Sequence, residues 1–170
     1  MKKFAMLFMA VIMITMTACS TKNSEVKGTA YKNDAFEMIL PDNWGVFKDN
    51  EFIGVFTSDN ETVQGFYDSL VVCVTDFDRE ASDITQKELE DRVAQDAGHA
   101  VETVTYAERE INGEKILEYT FVNDYNGMDV SQTMYIKTQN GKLLYYAYTF
   151  GGRERPADCD KLYKTVKIVG

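Results

Sequence analysis

Histidine is scarce in this 170-residue chain, which contains only His99. A Ser-His-Asp or Cys-His catalytic arrangement would have to use this residue. His99 follows Gly98 at the end of a predicted helix, a position typical of a solvated or capping histidine. A small hydrolase that uses His99 or paired carboxylates is therefore the alternative interpretation rather than the preferred one.

Motifs for nucleotide, dinucleotide or zinc-dependent chemistry are missing as well. The sequence has no Walker loop, no paired-glycine dinucleotide turn, no Gly-x-Ser-x-Gly and no His-Glu-x-x-His. The acidic run TDFDREASD at 75–83 lacks the turn glycine of a calcium loop, which favours a solvated loop. We expect no cofactor and no metal site.

The only long apolar run lies at the amino terminus. A positive start, MKK, precedes an apolar stretch over 4–17 that is too short to span a bilayer comfortably, the layout of a secretory signal. The sequence MTAC at 16–19 resembles the lipobox of bacterial lipoproteins, with Met16 where that family usually has leucine. The resemblance implies removal of residues 1–18 and a lipid on the Cys19 thiol. It therefore implies an anchor at the extracytoplasmic face of the cell membrane.

Basic charge is in short supply. Lysine and arginine number 18 against 27 acidic residues, a formal charge of −9, and loss of the two leader lysines leaves −11. Such a body offers no basic surface for nucleic acid and is repelled by anionic headgroups. The polar, non-periodic segment 19–30 predicts a flexible tether, and 31–170 is long enough for one domain with its own core.

Besides Cys19, the chain has two cysteines, Cys73 and Cys159. Two cysteines make no metal site without histidine. An extracytoplasmic location permits a disulfide between them, which is one alternative. Both lie in apolar patterns, where a free thiol behaves as a small hydrophobic group, so two buried thiols are favoured.

The sequence pattern of the first half of the chain predicts short strands followed by one helix. Apolar alternation over 36–40 predicts a strand that stops at Pro41, and a nearly continuous apolar run over 69–77 predicts a central strand. Thr85 and Glu88 form a capping box, which predicts a helix that ends at Gly98.

The second half reads as a four-stranded antiparallel meander and a helix. Asn-Gly pairs begin at Asn112, Asn126 and Asn140, and they separate segments rich in β-branched and aromatic residues. Pro156 suits the start of a short C-terminal helix. The prediction is an α+β fold: an antiparallel sheet of about seven to eight strands with helices on both faces, an α/β/α sandwich.

The strand that runs into LPDNW at 40–44 resembles the corner of PsbP/Mog1-like domains, and the order of elements over 31–170 is also similar. The resemblance implies that Trp44 is mainly structural, and it implies no catalytic residue. Trp44 keeps a binding role as the alternative. Tyr146 and Tyr148 are expected in the core, or at a binding surface if their row is exposed.

Taken together, these patterns predict a lipid-anchored extracytoplasmic protein that works as a non-catalytic binding or accessory module. Its partner, a protein or a small ligand, is not identified by the sequence. A structural spacer of an envelope complex is a further alternative.

Overall fold

The computed structural model describes residues 26–63 and 65–169. The predicted signal peptide and Cys19 lie outside these residues. Within the described ranges the chain forms ten strands and two α-helices. The strands are β1 (Gly28–Lys32), β2 (Phe36–Pro41), β3 (Trp44–Asp49), β4 (Ile53–Val63), β5 (Phe66–Asp76), β6 (Glu102–Ile111), β7 (Glu114–Tyr125), β8 (Met128–Gln139), β9 (Lys142–Gly151) and β10 (Lys167–Ile168). The helices are α1 (Gln86–Ala97) and α2 (Ala157–Tyr163).

The strands form two antiparallel sheets. The large sheet has the order β3-β4-β5-β9-β8-β7-β6, and the small sheet has the order β1-β2-β10. This arrangement confirms the predicted α+β fold and the four-stranded meander. The large sheet has the predicted seven strands, and the three-stranded sheet is an addition, because the corner at 41–44 carries the chain from one sheet to the other.

The predicted tether over 19–30 extends too far into the fold. Gly28 begins β1 and pairs with Pro41 across the small sheet. A Cβ atom at Gly28 would lie 2.0 Å from the Leu40 carbonyl oxygen, so the close approach of the two strands requires glycine here. The sequence of β1 did not predict a strand because it is polar and lacks apolar alternation. This edge strand is held by its pairing with β2 rather than by an apolar face.

The local signals for turns and for α1 are confirmed. Asn112, Asn126 and Asn140 have φ angles of 56°, 55° and 53°, and each is followed by a glycine with positive φ. The Thr85 hydroxyl accepts a hydrogen bond from the Glu88 amide, and the Glu88 carboxylate accepts one from the Thr85 amide. Gly98 ends the helix with a φ of 76°. No helix in the described residues has the length and hydropathy to cross a bilayer.

Strand alternation divides the side chains of the large sheet between two faces. Tyr146 and Tyr148 of β9 point to the face covered by α2 and the small sheet, where the main core lies. Tyr145 and Thr149 of the same strand point to the opposite face, beneath α1. That second face is covered by α1 and by the short 3-10 turn Ala81–Asp83 that precedes it.

Candidate functional site

The tyrosines predicted from the sequence lie in the core. Tyr146 is 0% exposed and Tyr148 is 2% exposed, so they do not form a binding surface. The Tyr146 hydroxyl donates to the Cys159 carbonyl at 2.9 Å, and the Tyr148 hydroxyl donates to an Asp68 carboxylate oxygen at 3.0 Å. Burial raises the pKa of both hydroxyls. The binding alternative failed because their strand is covered by α2.

Trp44 is partly buried at the corner where the chain enters the large sheet. Its ring centroid lies 5.6 Å from that of Tyr148, and the side chain packs against the main core. A recess of about 210 Å³ opens beside it, lined in part by Pro41 and Leu162. Trp44 therefore closes the corner and also keeps one accessible edge.

The two cysteines are free thiols on opposite faces of the large sheet. Cys73 lies on the face covered by α1 and is partly buried, whereas Cys159 belongs to α2 and is buried in the main core. Burial raises the pKa of the Cys73 thiol, and it raises the pKa of the Cys159 thiol to about 12. The sheet separates the two sulfur atoms, so the disulfide alternative is not realised.

His99 is exposed, and its Nε2 atom lies 2.6 Å from the amide oxygen of Asn123. The partner is an amide and not a carboxylate. In the acidic run, the Asp76 carboxylate accepts a hydrogen bond from Lys142 and the Glu80 carboxylate accepts one from Thr138. Among the described residues, no group of three or more histidine, cysteine or acidic side chains is placed to hold a metal ion.

A cavity lies between α1 and the large sheet. This α1–sheet cleft has a volume of about 550 Å³. Its helical wall is formed by side chains of α1 that include Leu89, Val93 and Ala97. Its floor is formed by strands β7, β8 and β9, with side chains that include Phe121, Val130, Met134, Tyr145 and Thr149.

Side chains of the large sheet hold α1 near its start, and His99, just beyond its end, contacts Asn123 of β7. The Tyr106 hydroxyl donates to the Ile84 carbonyl just before the helix, and the Thr103 hydroxyl donates to the Glu90 carboxylate at 3.0 Å. No residue of α1 is buried, and its apolar stripe stays only partly covered. The helix thus lies over the sheet without filling the space beneath it.

The polar groups of the cleft are already matched to one another. Arg92 pairs with Asp96 at 3.2 Å on the exposed rim, and the Gln132 amide donates to the Thr149 hydroxyl at 2.7 Å on the floor. The Tyr145 hydroxyl donates to the Met134 sulfur at 2.8 Å, and burial raises the pKa of Tyr145 to about 12. Sulfur is a weak acceptor, so the Tyr145 hydroxyl keeps donor capacity for a better one.

The sequence did not predict this cleft. The apolar stripe with Leu89, Val93 and Ala97 is typical of an amphipathic helix, and such a stripe does not indicate how closely the helix packs on a sheet. Two features of the sequence are related to the cleft. Ala97 is a small residue on the apolar side of the helix, and Gln132 and Thr149 are polar residues on strands that are otherwise apolar. Neither residue type marks a cavity without the strand register.

A second feature missed by sequence reasoning is a charged network beneath α2. Glu118 is 5% exposed and accepts hydrogen bonds from Arg109 and Arg155. The Tyr135 hydroxyl donates to Asp160, which also accepts from Arg109 at 3.1 Å. Burial opposes ionisation of Asp160. Nevertheless, the Tyr135 hydrogen bond and the two arginine charges hold the Asp160 pKa below its ordinary value. Two positive and two negative groups balance here, as expected for a network that fastens α2 to the sheet.

Comparison with known proteins identifies the fold but no family. Neither a protein-family model nor a curated protein sequence matches the chain. A crystal structure from Bacteroides thetaiotaomicron aligns with a TM-score of 0.61 and 12% identity over 84% of this chain. The chain spans about half, 49%, of that protein's length.

Two further solved structures match over the same share of the chain. The Ran-binding protein Mog1p of Saccharomyces cerevisiae aligns with a TM-score of 0.56 and 9% identity, over 84% of this chain and 96% of Mog1p. LpqN of Mycobacterium tuberculosis, described as involved in cell envelope biogenesis, aligns with a TM-score of 0.48 and 10% identity, over 84% of this chain and 86% of LpqN. The likeness to Mog1p confirms the predicted Mog1-like fold, and a fold does not define an activity.

Proposed function

We propose that this chain is a lipid-anchored extracytoplasmic binding module whose ligand site is the α1–sheet cleft. The observation that carries the proposal is the cleft itself: about 550 Å³ of space beneath a helix that has no buried residue. Ligand sites in proteins are concave, mostly apolar and typically 300–1,000 Å³ in volume. A structural spacer has no need of such a cavity.

The lining of the cleft indicates the chemistry of its ligand. Phe121, Val130 and Met134 supply apolar floor, and Leu89 and Val93 supply apolar wall. The ligand would therefore have an apolar body, because burial of apolar surface against this lining is energetically favourable.

The charges of the cleft point to a ligand without net charge. The rim charges of Arg92 and Asp96 neutralise each other. Neutral hydrogen-bonding groups, Tyr145 and Gln132 among them, can orient a polar end. An uncharged ligand with an apolar body and an acceptor group fits this arrangement.

The cleft can be tested by filling it from the helix side. Ala97→Phe places a ring in the cleft, whereas Gln95→Phe adds the same ring at an exposed position of the same helix. The uncharged apolar dye Nile red serves as the probe. We expect Ala97→Phe to weaken dye binding about ten-fold, equivalent to about 1.4 kcal/mol, and Gln95→Phe to leave it unchanged. Equal binding by both variants would place the dye elsewhere.

The anchor rests on the lipobox-like segment that ends at Cys19, which lies outside the described residues. We expect Cys19→Ala to release the protein from the membrane fraction, because lipid chains on this thiol would provide the attachment. Cys73→Ala is the matched control, because that thiol lies within the sheet. Fractionation of Cys19→Ala with the membrane, as for the unsubstituted protein, would contradict the anchor.

A further inference from the structure

The β3 edge of the large sheet carries a group of exposed apolar side chains. Val46 is 46% exposed, Phe47 is 76% exposed, and Phe52 in the following turn is 51% exposed. They make up half of the six large apolar side chains exposed in the described residues. We call Val46, Phe47 and Phe52 the β3 apolar edge. Large apolar side chains that are exposed within seven residues of one another on an edge strand and its turn are candidates for an interaction surface.

The chain enters the body beside this edge. Val26, the first described residue, lines the recess that contains Trp44, the first residue of β3. From there β1 runs along the same side, and the Tyr31 hydroxyl donates to the Asp49 carboxylate at the far end of β3 at 3.2 Å. Any segment that precedes Val26 therefore leaves from the side on which the β3 apolar edge lies.

The distance to a lipid on Cys19 is short. Six residues lie between Cys19 and Val26, which makes seven residue steps, and a chain spans at most 3.3–3.6 Å per step, about 25 Å in all. The side of the body that contains β1 and β3 would thus lie within reach of the headgroup layer.

We propose that the β3 apolar edge is a membrane contact, in which Phe47 and Phe52 enter the interfacial layer of the bilayer that holds the Cys19 lipid. The inference rests on the lipid anchor of the proposed function. Phenylalanine is among the apolar side chains that enter the interfacial layer, and the exposed residues between the two rings carry both signs of charge, Lys48 with Asp49 and Glu51. The acidic body indicates a zwitterionic rather than an anionic lipid surface.

The backbone of β3 favours lipid over a partner strand as the occupant. The register between β3 and β4 shifts between Val46 and Lys48, at the position of Phe47. A bulge of this kind turns a side chain outward and interrupts the regular row of amide and carbonyl groups that an added strand needs. Pairing with a second copy along β3 would meet the same interruption.

The proposal can be tested with tryptophan fluorescence on the full acylated chain. Trp44 is the only tryptophan, so Trp44→Phe gives a silent background. Phe47→Trp is the reporter in that background, with Phe52→Trp as a second reporter. Tyr125→Trp is the control, because Tyr125 is 60% exposed at the end of β7, five strand spacings or about 24 Å from β3. The chain is bound to phosphatidylcholine vesicles whose lipids carry bromine high on the acyl chains.

We expect the brominated lipid to reduce Phe47→Trp and Phe52→Trp fluorescence about two-fold, because interfacial side chains reach 5–10 Å into the headgroup and acyl boundary. Tyr125→Trp fluorescence should not change. If the chain floats with the vesicles but the reporters at 47 and 52 are not quenched, the membrane contact is wrong and the anchor stands. Equal quenching of the reporter at 125 leads to the same conclusion. A reporter at 47 that is shielded from aqueous quencher without vesicles indicates a second copy or a protein partner, and also overturns the membrane contact. A chain that does not float with the vesicles overturns the anchor as well.

Discussion

Trp44 shows what a single residue can reveal in advance. The proline before the corner and the size of the indole predicted a structural role, and the ring packs against Tyr148 and the main core. The remaining accessible edge of the ring could not be predicted, because it depends on Leu162 of α2, more than a hundred residues away. The residue type indicates that a tryptophan ring favours burial, and the tertiary fold determines how much of the ring is buried.

Asp160 makes a prediction about acid stability. Its pKa is held below the ordinary value in the folded protein by Tyr135, Arg155 and Arg109. The unfolded chain therefore takes up this proton at a higher pH than the folded chain does. The contribution of Asp160 to stability is complete above its ordinary pKa of about 3.9 and is lost as the pH falls through the lower folded value.

We expect Asp160→Asn to be less stable than the unsubstituted protein at neutral pH and to lose less stability between about pH 5 and pH 2. Urea unfolding at a series of pH values measures both effects. Asp158→Asn is the control on the same helix, since Asp158 pairs with the exposed Lys161 and takes no part in the network beneath α2 among the described residues. An equally steep acid dependence in Asp160→Asn would contradict the proposed role.

Helix α1 is the element whose boundaries were predicted most fully. Its capping box and its terminal glycine are local signals, carried by Thr85, Glu88 and Gly98 within one short segment. The hairpins at the Asn-Gly pairs were predictable for the same reason. The way α1 rests on the sheet was not, because it depends on side chains such as Tyr106 that are distant in sequence.

The local fastening of α1 predicts that the helix can open without the sheet. Thr85→Ala removes the cap and should cost about 1 kcal/mol. Because no residue of α1 is buried, we expect the loss to appear as faster amide exchange within α1, while β8 and β9 keep their protection. Hydrogen exchange with mass spectrometry measures this directly, with Gln95→Ala as a control. Equal acceleration in the central strands would show that α1 and the sheet open together.

At the scale of the whole molecule, the antiparallel α+β architecture followed from strand alternation and turn chemistry, and the division into two sheets did not. β10 has two residues and β1 has a polar sequence, so neither carries a periodic signal. The candidate site likewise depends on contacts between segments that are distant in the sequence. The cleft arises where one helix covers part of a seven-stranded face, a relation that no single segment encodes.

The most direct test of the account is to observe ligand binding at the floor of the cleft. Beyond the predicted leader the chain has three methionines, Met38, Met128 and Met134, and only Met134 lines the cleft. With methyl-labelled methionine, we predict that Nile red shifts the Met134 resonance, leaves that of Met38 in the opposite core unchanged, and loses this effect in Ala97→Phe. A shift at Met38 or Met128 with Met134 unchanged would contradict the α1–sheet cleft as the binding site.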